Sequence, residues 1–343
     1  MKKILFFCLP IFTFVLCSAI LIFFGASDGN DLSGGSGGNV DIYLEIWQVD
    51  TFEGGTGSRR AYLERVCKAY LKSVNAKSKT ARITAAVKQI TPETAEEFFK
   101  NGVYPDIISF GAGLNLPYER LEKLDYSFGA VGEFGGECYA AVWAQGAYAY
   151  ITRKGETEVN SVIVCEQEYA NPMLAYKMSG EKMPENVIKL PAKEAVYEFY
   201  RRKNCALIGT QRDLYRLENK IETDVKPLSG YSDLYCCAAV VSSETGVAKE
   251  QSEKIKAEKI KTAKSLLKYI VCTENPSAKA VGLLNYNGEA NDKSAPIGRL
   301  NGYKPEFALS VFSSRGQIEN LKKQTDDFAN CEQNIKSALK RLK

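Results

Sequence analysis

Strand and helix signals alternate along the first part of the chain, and this alternation restricts the fold more than any other feature. Residues 41–47 (DIYLEIW) and 81–90 (ARITAAVKQI) have the apolar, β-branched character of strands. Ser58 and Thr91 are good N-caps, and each begins a predicted helix. Residues 105–111 (PDIISFG) form the short apolar run that is typical of a buried parallel strand. The order β-α-β-α-β begins a doubly wound sheet.

A second α/β set follows farther along the chain. Residues 161–165 (SVIVC) and 205–209 (CALIG) are predicted as buried strands, with a helix over 192–203 between them. Thr210 opens a capping box that starts a further helix. Residues 233–241 (DLYCCAAVV) are predicted as another strand. Beyond it, helices are predicted over roughly 254–272, 276–284 and 316–342.

The N-terminal segment predicts export. Residues 4–24 carry no charge and follow Lys2 and Lys3. At about 1.5 Å per residue they extend about 32 Å, enough to cross a hydrocarbon core of about 30 Å. A retained membrane anchor is favoured, and a cleaved signal or lipidation at Cys17 remain alternatives. In each case the two lysines stay inside, and the Gly- and Ser-rich residues 25–40 form a flexible tether.

The composition excludes several classes of function. The chain has no histidine, which rules out Ser-His-Asp triads, Cys-His pairs and histidine-ligated metals. Lysine and arginine number 45 against 41 acidic residues, a formal charge of +4. So small an excess does not indicate nucleic acid as a partner. No catalytic residue, metal site or cofactor is predicted.

The exported body contains eight cysteines, and none of them has C-x-x-C spacing. Zinc ribbons and thioredoxin-like chemistry are therefore not supported. Several cysteines lie within apolar runs, which favours buried free thiols. One or two disulfides are the alternative. The cysteines of the body are Cys67, Cys138, Cys165, Cys205, Cys236, Cys237, Cys272 and Cys331.

A glycine-rich loop, residues 54–57, lies where the first predicted strand passes into the first predicted helix. It has neither the lysine of a P-loop nor, at Arg60, the third glycine of a dinucleotide loop. The loop does lie at the carboxyl end of a strand, where open α/β sheets bind ligands. Trp47, Asp50 and Glu53 precede it, and an aromatic face beside carboxylates suits a sugar. Taken alone, these three residues are more typical of a core tryptophan and two surface acids.

Six segments occur in an order that is similar to a known family. The chain resembles the extracellular solute-binding proteins of ABC importers, of family 1 and the sugar-binding type, with a clostridial-like character. The resemblance covers about residues 42–315. It departs from the family pattern at Val142-Trp143, which lacks a proline, and at Thr152-Arg153, which replaces Tyr-Asn. The segments are WQVDTFEGGTGSRRAYL, NGVYPDIISFGAG, GECYAAVWAQGAYAYITRK, CALIGTQRDLYRLEN, PLSGYSDLYCCAAV and LLKYIVCTENPSAKAVGLLNYNG.

The resemblance implies an α/β protein with the two-lobed, type II periplasmic-binding-protein-like fold, in which hinge strands join two α/β lobes. The expected boundaries are 1–24 for the anchor or signal segment, 25–40 for the linker, 41–145 for the first part of lobe one, 146–232 for lobe two, 233–315 for the return strand and helical part of lobe one, and 316–343 for a C-terminal amphipathic helix.

The resemblance also implies a function. Such a protein captures a carbohydrate or similar small polar solute between its lobes and delivers it to the permease subunits of an ABC importer. It is expected to be a monomer, tethered outside the cytoplasm at the cell membrane, and not an enzyme. A membrane-anchored ligand sensor or surface interaction protein on the same scaffold remains an alternative. A glycosidase that uses Asp50 and Glu53 as its carboxylate pair is a second one.

Ligand-binding residues follow from the same resemblance. Arg212 is notable because cations are disfavoured at a helix start, so it either grips a ligand oxygen or Glu53, or is simply exposed to solvent. The expected ligand-binding residues are Trp47, Asp50, Glu53, Gly54, Gly55, Ser58 and Gly111 in lobe one, Trp143 and Tyr148 near the hinge, Thr210, Gln211 and Arg212 in lobe two, and Tyr231 and Asp233 near the return strand.

Overall fold

The computed structural model describes residues 40–77, 81–126, 130–242, 251–272, 281–290 and 292–341. The predicted anchor over 1–24 and all but the last residue of the predicted tether lie outside these ranges, as does most of the helix predicted over 276–284. Within the described ranges, no helix is both long and apolar enough to cross a membrane.

Strands and helices alternate as predicted. The strands are β1 (Val40–Val49), β2 (Ala81–Ile90), β3 (Ile107–Phe110), β4 (Glu133–Phe134), β5 (Glu137–Cys138), β6 (Ala141–Gln145), β7 (Tyr148–Arg153), β8 (Ser161–Glu166), β9 (Asn186–Pro191), β10 (Cys205–Thr210), β11 (Thr223–Pro227), β12 (Tyr231–Ser232), β13 (Tyr235–Val240) and β14 (Phe307–Ala308). The α-helices of the described ranges are α1 (Arg59–Lys77), α2 (Pro92–Lys100), α3 (Pro172–Met178), α4 (Ala192–Arg201), α5 (Gln211–Leu217), α6 (Gln251–Cys272), α7 (Arg315–Asp326) and α8 (Phe328–Arg341).

The first lobe is built on a five-stranded sheet with the order β2-β1-β3-β13-β6. Strand β1 pairs in parallel with β2 and β3, whereas β13 runs antiparallel to β3 and β6. Alternate residues of β1 face opposite sides, as in any strand. Leu44 and Ile46 therefore pack with Leu63 of α1, while Trp47 packs with Phe99 of α2. Helices on both faces give the doubly wound lobe that the sequence predicts.

The second lobe is built on another five-stranded sheet, with the order β11-β7-β10-β8-β9. Strand β8 is parallel to β9 and β10, and β7 is antiparallel to β10 and β11. The predicted strands at 161–165 and 205–209 are confirmed as β8 and β10. The prediction of two α/β lobes is confirmed as well.

The chain passes between the sheets more often than expected. It leaves the first sheet at Gln145, enters the second at Tyr148, and returns after Pro227. Residues 284–290 and 292–303, which we expected on lobe one, then contribute to the second core. Leu284, Ile297, Leu300 and Tyr303 pack there with Leu207 and Leu214. Gln145 and Leu284 exchange two backbone hydrogen bonds, 3.0 and 2.9 Å long, so this third passage runs beside the first.

The single C-terminal helix predicted over 316–342 is two helices, α7 and α8, which meet at Asp327. Ser314 and Gln317 form a capping box at the start of α7. At its end, the ammonium group of Lys177 donates to the carbonyl of Thr325 at 2.6 Å. A continuous helix would use that carbonyl for its own backbone hydrogen bond, so the contact accompanies the break.

All eight cysteines of the body are free, which confirms the favoured interpretation over disulfides. Six are buried, Cys331 is half-buried and Cys272 is exposed. Burial raises the pKa of Cys67 to about 12 and that of Cys236 to about 11. These thiols are therefore small core side chains and not nucleophiles.

Candidate functional site

A cavity of about 820 Å³ lies between the carboxyl ends of parallel strands from the two sheets. One wall is the segment after β1, from Asp50 to Arg59. The opposite wall consists of residues 166–169 after β8 and residues 191–194 after β9. Four predicted residues, Asp50, Glu53, Gly54 and Ser58, line this cavity together. The size falls within the range of about 300–1,000 Å³ that is usual for small-molecule sites.

Arg59 holds the first wall in place. Its side chain is 5% exposed, and its Nε lies 3.0 Å from Oδ1 of Asp50. The guanidinium lies 4.4 Å from the centre of the Phe52 ring and also donates to the Phe52 carbonyl oxygen and, at 3.4 Å, to Sγ of Cys236. Because Arg59 is covered on all of these sides, it shapes the loop between β1 and α1 and presents Asp50 to the cavity.

The second wall touches the first directly. The amide of Glu53 donates to Oε1 of Gln167 at 3.1 Å, and the hydroxyl of Tyr169 donates to Oε1 of Glu93 at 3.0 Å. Burial and the bond to Glu93 raise the pKa of Tyr169. Among the described residues, Nε2 of Gln167 finds no acceptor, although it is buried in the cavity wall. This amide is a donor that a bound solute could use.

The glycine-rich loop packs against protein on the side away from the cavity. Gly55 lies against Gly282, and the amide of Thr56 donates to the carbonyl of Val281 at 2.8 Å. The guanidinium of Arg212, in the first turn of α5, donates to the carbonyl oxygen of Gly55. Arg212 thus donates to the backbone of the loop. This partner is not one of the three that the sequence suggested, which were a ligand oxygen, the carboxylate of Glu53 and solvent.

Thr210 and Gln211 are fully buried, and both side chains hold the backbone around the site in place. Thr210 caps α5, because its Oγ1 accepts from the Arg212 amide at 3.2 Å while its own amide donates to Asp213 at 2.8 Å. The Gln211 side chain accepts from the Ala147 amide at 2.8 Å and donates to the Glu53 carbonyl at 3.2 Å. The expectation that either residue faces the cleft is wrong in this conformation.

Tyr148, Tyr231 and Asp233 form a buried cluster where the chain passes between the lobes. The Asp233 carboxylate accepts from the Tyr148 hydroxyl at 2.5 Å, from the Tyr231 hydroxyl at 3.0 Å and from the Asn171 amide at 2.9 Å. Burial raises the pKa of Asp233 to about 6, although these three hydrogen bonds oppose the rise. We expected Tyr148 near the hinge and Tyr231 and Asp233 near the return strand, all as ligand-binding residues, but none of the three lines the cavity.

Both tryptophans are core residues, which corrects their placement in the cleft and at the hinge. Trp47 is 1% exposed, and its ring centre lies 5.3 Å from that of Phe98. Its indole donates to Glu45 at 2.6 Å. Trp143 is 5% exposed and donates to Oγ of Ser109 at 3.0 Å. Trp47 lies on β1 and Trp143 lies on β6. Because both faces of each strand are covered, both side chains point into packed layers.

Gly111 also lies beneath the site and not in it. A Cβ at this position would lie 2.3 Å from Oγ1 of Thr51, so the glycine makes room for the segment that carries Asp50 and Glu53.

No residue of the second wall was among the predicted ligand-binding residues. Residues 166–169 follow β8, a predicted strand, so the rule that placed the β1 loop at a ligand site would also have found them. Residues 191–194 begin at the last residue of β9, which was not predicted; its residues are half-buried or exposed, and none of them is buried. Phe52 and Arg59 line the cavity as well but were not among the predicted ligand-binding residues.

The lining suits a solute rich in hydroxyl groups. Carboxylates from Asp50, Glu53, Glu166, Glu168 and Glu194 outnumber the cations of Arg59 and Lys193. Carboxylates accept hydrogen bonds from hydroxyl groups, and Gln167 can donate one. In the ranges that the structure describes, no group of three acidic or cysteine side chains is arranged to hold a metal ion.

No protein-family model and no curated protein matches the chain. Solved structures do match it over most of its length. The maltodextrin-binding protein MalE1 of L. casei, without ligand, has a TM-score of 0.55 and 12% identity, covering 89% of this chain and 98% of its own. The GacH receptor of Streptomyces glaucescens, solved unliganded and with acarbose, has a TM-score of 0.54 and 9% identity, covering 89% and 99%.

The maltose-maltodextrin binding protein of Alicyclobacillus acidocaldarius has a TM-score of 0.50 and 12% identity, covering 88% of this chain and 99% of its own. At such identities the likeness concerns the fold. This protein therefore has the two-lobed, type II periplasmic-binding-protein fold, as its sequence predicts.

Proposed function

We propose that the protein is an extracytoplasmic receptor that captures a carbohydrate or similar small polar solute between its two lobes. The observation that carries this proposal is the cavity between the carboxyl ends of β1, β8 and β9. In open α/β sheets this edge is where ligands bind, and here two such edges face each other. A solute held there contacts both lobes at once.

Contact with both lobes couples binding to closure. A solute that touches Asp50 on one wall and Gln167 on the other gains both sets of contacts only when the lobes are together. It therefore shifts the population toward the closed form. The closed form is then what a permease would recognise, and no bond in the solute needs to change.

The chemistry of the lining favours a carbohydrate. Acidic side chains and the Gln167 amide offer both acceptors and a donor to hydroxyl groups, and Phe52 and Tyr169 add aromatic carbon. The solved structures with the same fold include a maltodextrin-binding protein and a receptor bound to acarbose. With the predicted anchor, we place the protein at the outer face of the cell membrane, as a monomer that delivers its solute to ABC permease subunits.

The test is a thermal-shift screen of the full chain in mild detergent against sugars and polyols, followed by calorimetry on each hit. A true solute at 100 times its Kd raises the unfolding free energy by about 2.7 kcal/mol. Chromatography of the recovered solute should show it unchanged. The absence of any stabilising sugar would overturn the proposal, and conversion of the sugar would replace it with an enzyme that uses Asp50 and Glu53.

A further inference from the structure

Two residues of lobe one, Glu53 and Gly55, are held by four side chains of lobe two. Gln167 accepts from the Glu53 amide, Gln211 donates to the Glu53 carbonyl, and Arg212 donates to the Gly55 carbonyl. The fourth is Arg216, whose Nη2 lies 2.8 Å from the Glu53 carboxylate. All four contacts cross from one lobe to the other.

Arg216 differs from the other three because a carboxylate of its own lobe also holds it. Its Nη1 lies 2.7 Å from Oδ1 of Asp213, one turn earlier on α5. The Asp213 side chain is fully buried and is fixed by the amide of Thr210 at 2.8 Å. The guanidinium is therefore already oriented toward Glu53, so little side-chain entropy is lost when the pair forms.

The cost of separating the pair is raised by its surroundings. The Arg216 side chain is 15% exposed and that of Glu53 is 38% exposed, so water screens the contact only in part. Glu53 lines the cavity, but Arg216 does not. Arg216 can thus act on closure without touching a solute.

We propose that Arg216, acting through Glu53, is a closure latch that fixes how much of the protein is closed before a solute arrives. The effect of this latch on solute binding rests on the proposed function. A latch that raises the closed fraction raises the apparent affinity by the same factor. Arg216 is a positioning residue, because it acts through Glu53 and through the relative placement of the lobes.

The test is amide hydrogen exchange of the full chain without any solute, comparing Glu53→Gln and Arg216→Lys with the wild type. Glutamine cannot form the ion pair. Lysine keeps the positive charge beside Asp213 but lacks the guanidinium, whose two nitrogens contact the carboxylates of Asp213 and Glu53 at the same time. The matched control is Glu198→Gln. It breaks the 2.8 Å pair with Arg202 inside lobe two, which does not cross between lobes.

We expect amides of residues 53–57 to exchange about tenfold faster in both latch variants and not in the control. Amides of β10 and β13 report global unfolding and serve as the internal reference. A larger radius of gyration in X-ray scattering should accompany the change. Unchanged exchange in residues 53–57 in both variants would overturn the latch. Because no solute is present, this result is independent of a failed sugar screen, which would overturn only the proposed function.

Discussion

A Cβ on Gly55 would lie 1.8 Å from the carbonyl oxygen of Gly282, so these two residues meet backbone against backbone. Any side chain at position 55 must push the loop between β1 and α1 away from residues 281–282. The glycine at position 55 is therefore explained by close packing of two backbone segments and not by space for a solute.

This contact predicts different outcomes for two adjacent glycines. We expect Gly55→Ala to lower the free energy of unfolding by about 1–3 kcal/mol through overpacking. Gly54→Ala is the matched control, because its Cβ would find no atom closer than Nε of Arg59 at 3.5 Å. It should change stability by less than about 0.5 kcal/mol. Urea denaturation measures both, and equal effects of the two variants would contradict the contact.

Trp47 should behave as a core residue. Truncation to Ala removes a side chain that is 1% exposed and packed on Phe98 and Phe99, so we expect a loss of about 3–5 kcal/mol. Tyr43 lies on the same strand and is 49% exposed, so Tyr43→Ala should cost far less. If Trp47→Ala kept the melting temperature of the free protein but abolished solute binding, the tryptophan would belong to the cleft after all.

Stability should fall as the pH rises through the titration of Asp233. Its pKa rises on folding from 3.8 to about 6, so between these values the folded state binds the proton more tightly than the unfolded chain. This contribution is complete below pH 3.8 and is lost as the pH rises through 6, a difference of about 3 kcal/mol.

Asp233→Asn removes this titration and is the comparison to make. We expect the unfolding free energy of Asp233→Asn, relative to that of the wild type, to rise between pH 4 and pH 7, because only the wild type loses stability over this range. A gap between the two proteins that stays constant over this range would show that Asp233 keeps its ordinary pKa in the folded state.

Thiol labelling should separate the cysteines by burial. In the native protein, iodoacetamide is expected to modify Cys272 and Cys331 first, because the other six cysteines of the body are buried. A reducing agent should leave the melting temperature unchanged, since none of these eight cysteines forms a disulfide. Mass spectrometry locates the label, and early modification of Cys67 or Cys236 would contradict the packing.

The fold was predictable where signals are local. The strand at residues 105–111, the cap at Thr91 and the capping box at Thr210 each depend on neighbours in sequence, and all appear in the structure. The lobe that holds residues 284–290 and 292–303 was not predictable, because it depends on contacts with Leu207 and Leu214, which lie far away in the chain.

The sequence could predict where the site lies along β1, but not which way each side chain points. Asp50 and Glu53 were expected at a ligand site because they follow the carboxyl end of β1, and both line the cavity. Position along the strand could not settle which way Trp47 points, because adjacent residues of a strand face opposite sides and both sides of β1 are covered. Likewise Arg212 was singled out for its place at a helix start, but the group that it contacts, the carbonyl of Gly55, becomes visible only in three dimensions.

The third passage between the lobes fixes the order in which the molecule can be completed. A chain made from its N-terminus presents β7 to β11 long before Leu284, Ile297 and Leu300 exist to cover Leu207 and Leu214. The second lobe, although it lies in the middle of the sequence, is therefore finished late. A premature stop before residue 284 would leave this lobe with an uncovered apolar surface and expose the shortened protein to aggregation and proteolysis.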